Sequence, residues 1–120
     1  MTNQEIFDKV LGHLRSQWVN DDDNNLIELR IIDRVLRMAL ERGYAVSVHD
    51  SVDWVLVRSR SHVAILNVMF ATDYEMLVFW DGAGRRVGFM TFVYGNGEDV
   101  ISDHTDNAVM QELFDYATGD

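Results

Sequence analysis

The chain has 120 residues, 48% of them hydrophobic and 25% charged, which is ordinary usage for a single globular domain and excludes disorder of the bulk. Twenty acidic against ten basic residues leave a formal net charge of -10, so the protein's own field opposes binding to a phosphate backbone. Cysteine is absent, which excludes disulfides, thiolate chemistry and cysteine-based zinc or iron-sulfur sites. No run approaches the ~18 consecutive apolar residues that cross a bilayer, and Met1 to Phe7 lack a basic, apolar leader, so a cytoplasmic protein without membrane contact is expected.

Thr2 and Glu5 have capping-box spacing, and Ile6, Val10, Leu11 and Leu14 recur at helical intervals up to about Trp18. The polar run from Asn20 to Asn25 breaks that helix and supplies the N-cap of the next. Leu26, Leu29, Ile32, Val35, Leu36, Ala39 and Leu40 then follow a 3.6-residue period that stops at Gly43, a residue suited to the positive φ of a helix end.

Tyr44 to His49 and Asp53 to Arg58 read as a hairpin around Asp50-Ser51. Ser61 caps a short helix carrying Ile65, Leu66, Met69 and Phe70, in preference to a strand over Val63 to Phe70. Glu75 to Trp80 and Arg86 to Tyr94 flank Asp81-Gly82-Ala83-Gly84, a second hairpin. Asp99 to Ser102 is a short edge strand, and Thr105 or Asp106 caps a last helix with Val109, Met110, Leu113 and Phe114 before Gly119.

Hairpins require antiparallel pairing and helices at both ends must cover the sheet, so the expected class is α+β, a single domain over residues 1–120. Its sheet has two hairpins and a short edge strand, with two N-terminal helices, a short middle helix and a C-terminal helix. Val87, Phe89 and Val93 alternate with Met90, Phe92 and Tyr94, so both faces of the last long strand are apolar. If helices cover one face only, the other presents Trp80, Met90, Phe92 or Tyr94 as a partner surface.

From Tyr44 onward the chain resembles a group of small uncharacterised proteins encoded in bacteriophage and other mobile-element sequences. The residues that carry the resemblance are Gly43-Tyr44-Ala45-Val46-Ser47-Val48, with Asp50 and Trp54, then Thr72-Asp73, and the tail from Tyr94-Gly95-Asn96-Gly97 through Asp99-Val100-Ile101, Asp103 and Thr105-Asp106-Asn107. Ser51-Val52-Asp53 departs from the usual glycine and acid of the first turn. The resemblance implies a mobile-element origin, a bacterial host cell and no known reaction; inhibition of host defence is an analogy that it brings.

Asp99, Asp103, His104 and Asp106 bring hard-metal and acid-base groups close together in sequence, although their spacing fits no calcium loop. The competing reading is an edge strand that leads into a capped helix. His49, Asp50 and Asp53 repeat the pattern more weakly inside a turn. His13 and His62 lie in helices without a paired motif, no nucleophile elbow occurs, and the pairs Gly82/Gly84 and Gly95/Gly97 have no phosphate-loop spacing. Arg30, Arg34 and Arg37 form one helical stripe suited to phosphate or carboxylate, diluted by Glu28, Asp33 and Glu41. Asp21-Asp22-Asp23 reads as a solvated connection.

Charge is unevenly placed: residues 1–60 hold ten acids and eight bases, residues 61–120 ten acids and two bases. From Val87 onward Glu98, Asp99, Asp103, Asp106, Glu112, Asp115 and Asp120 face no Lys or Arg. The leading expectation is therefore a non-enzymatic, cofactor-free interaction protein. Asp99, Asp103, Asp106, Glu112 and Asp115 steer it to a basic host protein surface, such as that of a nucleic-acid-binding defence component, and Tyr94 or Trp80 anchor the contact. A metal-dependent site at Asp99, Asp103, His104 and Asp106 is the second expectation, and self-association through the two-sided hairpin the third.

Overall fold

The computed structural model describes residues 1–15 and 23–119. Trp18, Asn20, Asp21, Asp22 and Asp120, on which several expectations fall, lie outside those residues. Thr2 and Glu5 close the expected capping box, the Glu5 N–H donating to Thr2 Oγ1 at 3.1 Å and the Thr2 N–H to Glu5 Oε1 at 3.2 Å. That box starts α1 (Asn3–Arg15), which buries Phe7, Val10 and Leu14. Helix α2 (Asp23–Glu41) takes in Asn24 and Asn25 and ends at Gly43, whose φ of 81° lets the Tyr44 N–H reach the Ala39 carbonyl at 3.0 Å.

The sheet comprises β1 (Ala45–His49), β2 (Trp54–Ser59), β3 (Tyr74–Trp80), β4 (Arg86–Val93) and β5 (Ile101–His104) in the spatial order β2-β1-β3-β4-β5, antiparallel throughout. Helix α3 (His62–Val68) carries the chain from β2 back to β3, and α4 (Ala108–Thr118) closes it. The expected α+β architecture is the one observed. In the middle helix the Ser61 hydroxyl accepts the Ala64 N–H at 3.2 Å, as the sequence predicts. Asp50 and Asp81 build the hairpin turns: Asp50 Oδ1 accepts from Val52 and Asp53, and Asp81 Oδ1 from Ala83 and Arg85. Those backbone donors hold both carboxyls below their ordinary pKa, the Asp53 and Arg85 amides contributing most.

Three expected boundaries shift, the first at the middle helix, which ends at Val68 and leaves Met69 and Phe70, expected on it, in the turn beyond. A 3₁₀ turn occupies Gly97–Asp99, so the edge strand begins at Ile101. The cap of α4 is Asn107, which accepts the Met110 N–H at 2.9 Å, because Thr105 is already engaged as acceptor of the Phe89 N–H.

All four helices contribute to one core with the same face of the sheet. Val46 pairs with Phe79, Leu77 with Met90 and Glu75 with Phe92, and these side chains point toward the helices. Phe79 and Phe92 are fully buried, each contributing roughly 1.5–3 kcal/mol by area removed from water. Met90 and Phe92 are thus core residues, not the exposed pair that the apolar alternation allowed. Ala45 and Val78, also buried, stand outside that core on the opposite face, helix-free in the sense that no helix among the described residues covers it.

Candidate functional site

The helix-free face is formed by alternation from the core pairs. Ser47 pairs with Val78 and Val78 with Phe89, while Met76 pairs with Thr91. Val78 is 2% and Ser47 3% exposed although no helix covers them. Larger neighbours shelter them: Trp80 Nε1 donates to Ser47 Oγ at 3.1 Å, and the Arg58 guanidinium lies 3.9 Å from the Trp80 ring centroid. Arg58 reaches it from a bulge, with φ of 48° and its N–H also given to Ser47 Oγ.

Beside that stack, Ser47, Trp54, Val57, Arg58 and Trp80 line a depression of about 230 Å³. Trp54 packs edge-on to His49 with centroids 4.8 Å apart. It is 50% and Val57 66% exposed. Neither was a candidate site residue from sequence, although Trp54 is among those that carry the resemblance. The unbroken apolar run Trp54-Val55-Leu56-Val57, which lacks the alternation of a strand with one covered face, is the signal that marks them.

Trp80 is therefore on the helix-free face as expected, but Tyr94 is not an anchor there. It stacks on Phe70 with centroids 4.4 Å apart, and its hydroxyl donates to Glu75 Oε1. Glu75 is fully buried and also receives the Phe70 and Ala71 N–H groups at 2.8 and 2.9 Å. Burial, then the Glu75 charge and its hydrogen bond, push the Tyr94 phenol well above its ordinary pKa. A second buried carboxylate, Glu28, accepts the N–H groups of Gly95, Asn96 and Gly97 at 2.8, 3.0 and 3.2 Å. The glycine-bearing turn thus holds an anion after all, but one supplied by the chain itself.

Asp99, Asp103, Asp106, Glu112 and Asp115 are exposed on the 3₁₀ turn, β5, the β5–α4 connection and α4. They differ in what surrounds them. Glu112 is ion-paired with Arg42, in the turn that follows α2, which raises the Arg42 pKa and offsets that charge. Asp115 accepts from Gln111, and Asp103 Oδ1 accepts the His104 N–H at 2.9 Å. Trp80 sits opposite Arg86 and Asp103 opposite Thr91, so strand spacing and rise place the aromatic patch about 20 Å from the acidic edge.

The proposed metal quartet does not assemble. His104 Nδ1 lies 2.9 Å from the Thr105 carbonyl and its ring packs on Phe114. Among the described residues no three His, Asp or Glu side chains are grouped to hold a metal. His62 is a satisfied core residue, Nε2 lying 2.7 Å from Asp33 Oδ1 and Nδ1 3.1 Å from Asn3 Oδ1. Glu28 and Asp33 are both buried; Glu28 leaves the arginine stripe, whereas Asp33 still dilutes it as the helical spacing suggested, by pairing with Arg37 at 2.8 Å.

No family model, curated protein or solved structure matches this chain.

Proposed function

We propose that the chain is a non-enzymatic interaction protein that docks a basic protein through the helix-free face of its sheet and the acidic edge on the far side of that sheet. The observation that carries this reading is the one-sided placement of the helices, which leaves Trp54, Val57 and Trp80 around a shallow apolar depression. Such a patch is the usual form of an interface centre. Asp99, Asp103 and Asp106 supply a directed negative field at the far edge, suited to steering a basic surface into place. A host protein whose basic groove binds nucleic acid has that chemistry, and the mobile-element resemblance favours such a target.

Affinity capture from a bacterial lysate, at low and high salt, tests the reading with three baits. These are the wild type, an Asp99→Lys/Asp103→Lys/Asp106→Lys variant, and Trp54→Glu. A partner retained by the wild type at low salt, shed at high salt and lost by both variants is the expected result. Capture that survives both sets of substitutions overturns it.

A further inference from the structure

We infer that the α1–α2 groove is a binding site for a small phosphate-bearing anion, with Arg30, Arg34 and Arg37 as its ligands. Gln4 and Phe7 of α1 and Arg30, Asp33, Arg34 and Arg37 of α2 line a cavity of about 290 Å³. The stripe that the helical spacing predicts is therefore the wall of a concave site, at the small end of ligand-pocket volumes. Arg30 and Arg34 also border a neighbouring cavity of about 240 Å³ beside Glu98 and Thr118, so both guanidinium groups have room to turn toward either space.

The donors on this wall are largely unspent. Arg30 forms no hydrogen bond or ion pair with a described residue. Arg34 reaches the Ala117 carbonyl only at 3.4 Å. Arg37 meets Asp33 Oδ2 through Nε at 2.8 Å, which leaves its two terminal nitrogens for a ligand. The one carboxylate in the wall is already compensated: Asp33 is 3% exposed and takes Arg37 on one oxygen and His62 on the other. With Arg37 offset by Asp33, the Arg30 and Arg34 guanidinium groups remain as net positive charge, and the described lining of this groove is locally cationic on a chain of net charge -10.

That contrast selects the ligand. A long polyanion lying across the surface meets the repulsive field of the whole chain, whereas a compact dianion enters the groove and meets the guanidinium forks alone. A phosphate monoester or inorganic phosphate offers several acceptor oxygens for those forks, and a monocarboxylate offers two.

Calorimetric titration of the full chain with inorganic phosphate, ribose 5-phosphate, acetate and a duplex oligonucleotide, at matched ionic strength, tests the site. Saturable binding of phosphate or ribose 5-phosphate, with acetate inert, is expected. Tighter binding of ribose 5-phosphate assigns an organic phosphate, and equal binding assigns the free ion. Arg30→Gln and Arg34→Gln should each weaken binding about tenfold, and Arg34→Lys should recover only part of the loss because its single point charge replaces a fork. Thermal unfolding without ligand checks that these exposed substitutions leave the fold intact. No saturable heat from either phosphate, undiminished affinity in both glutamine variants, or binding of the oligonucleotide alone overturns the inference.

Discussion

Glu28 in α2 and Gly95 in the turn after β4 are joined by a hydrogen bond of 2.8 Å, Oε2 accepting the Gly95 N–H. The same oxygen takes the next two amides, so one side chain fixes the turn between β4 and the 3₁₀ segment against the long helix. Glu28→Ala leaves three amides without their acceptor, that of Gly97 in a buried setting, and stability should fall by about 3 kcal/mol in urea titration. Glu28→Gln keeps one carbonyl acceptor and should lose about half as much. Equal, negligible losses for both would show that the clamp does not hold the turn.

Tyr94 gives the fold an alkaline limit. Its phenol is held protonated well above the ordinary value of 10.0, chiefly by burial and then by Glu75. The unfolded chain releases that proton first, so this contribution is complete below pH of about 10 and is lost as pH rises from there toward the raised folded value. Tyr94→Phe should cost about 1 kcal/mol at neutral pH and flatten the alkaline fall in stability. An unchanged slope above pH of about 10 would sink the assignment.

Asp33 and His62 should behave as a coupled pair. Both are buried, at 3% and 8% exposure, and Asp33 also holds Arg37. Asp33→Ala strands two partners and should cost about 3 kcal/mol. In a double-mutant cycle with His62→Ala the losses should fall short of additivity by about 1 kcal/mol or more. Strict additivity by denaturant titration would separate the two residues.

Gly88 of β4 lies against Met110 of α4. A Cβ there would stand 2.6 Å from Met110 Cγ and 3.1 Å from Thr105 Oγ1. Gly88→Ala should therefore destabilise by about 1–3 kcal/mol, although alanine suits a strand better than glycine elsewhere. Gly82, with no atom within 4 Å of the added carbon, is the control, and Gly82→Ala should leave the thermal midpoint nearly unchanged. Equal shifts for the two would remove the packing argument.

Local chemistry made much of the fold legible. The Thr2–Glu5 box, the Ser61 cap, the Gly43 stop and the Asp81 turn join groups within five residues of one another, and all occur where the pattern predicts. The candidate site was less legible. Arg30, Arg34 and Arg37 were visible as a stripe, but its cavity depends on Gln4 and Phe7 of another helix. Tyr94 looked like an anchor because aromatic character says nothing of direction, and Glu75 decides that direction from β3.

The sequence by itself determined that this is an α+β domain with antiparallel hairpins, and that its positive charge is concentrated in the first half. Periodicity and turn chemistry act over a few residues, and charge is simply counted. Tertiary structure alone decided which apolar face of β4 meets the helices, sending Met90 and Phe92 inward and leaving Phe89 on the uncovered side. It also decided that Glu28, Asp33 and Glu75 go inside, because a buried carboxylate is tolerated only where distant donors converge on it. For each of the three at least one partner comes from a distant segment, Gly97 for Glu28, His62 for Asp33 and Tyr94 for Glu75, which no helical or strand period connects.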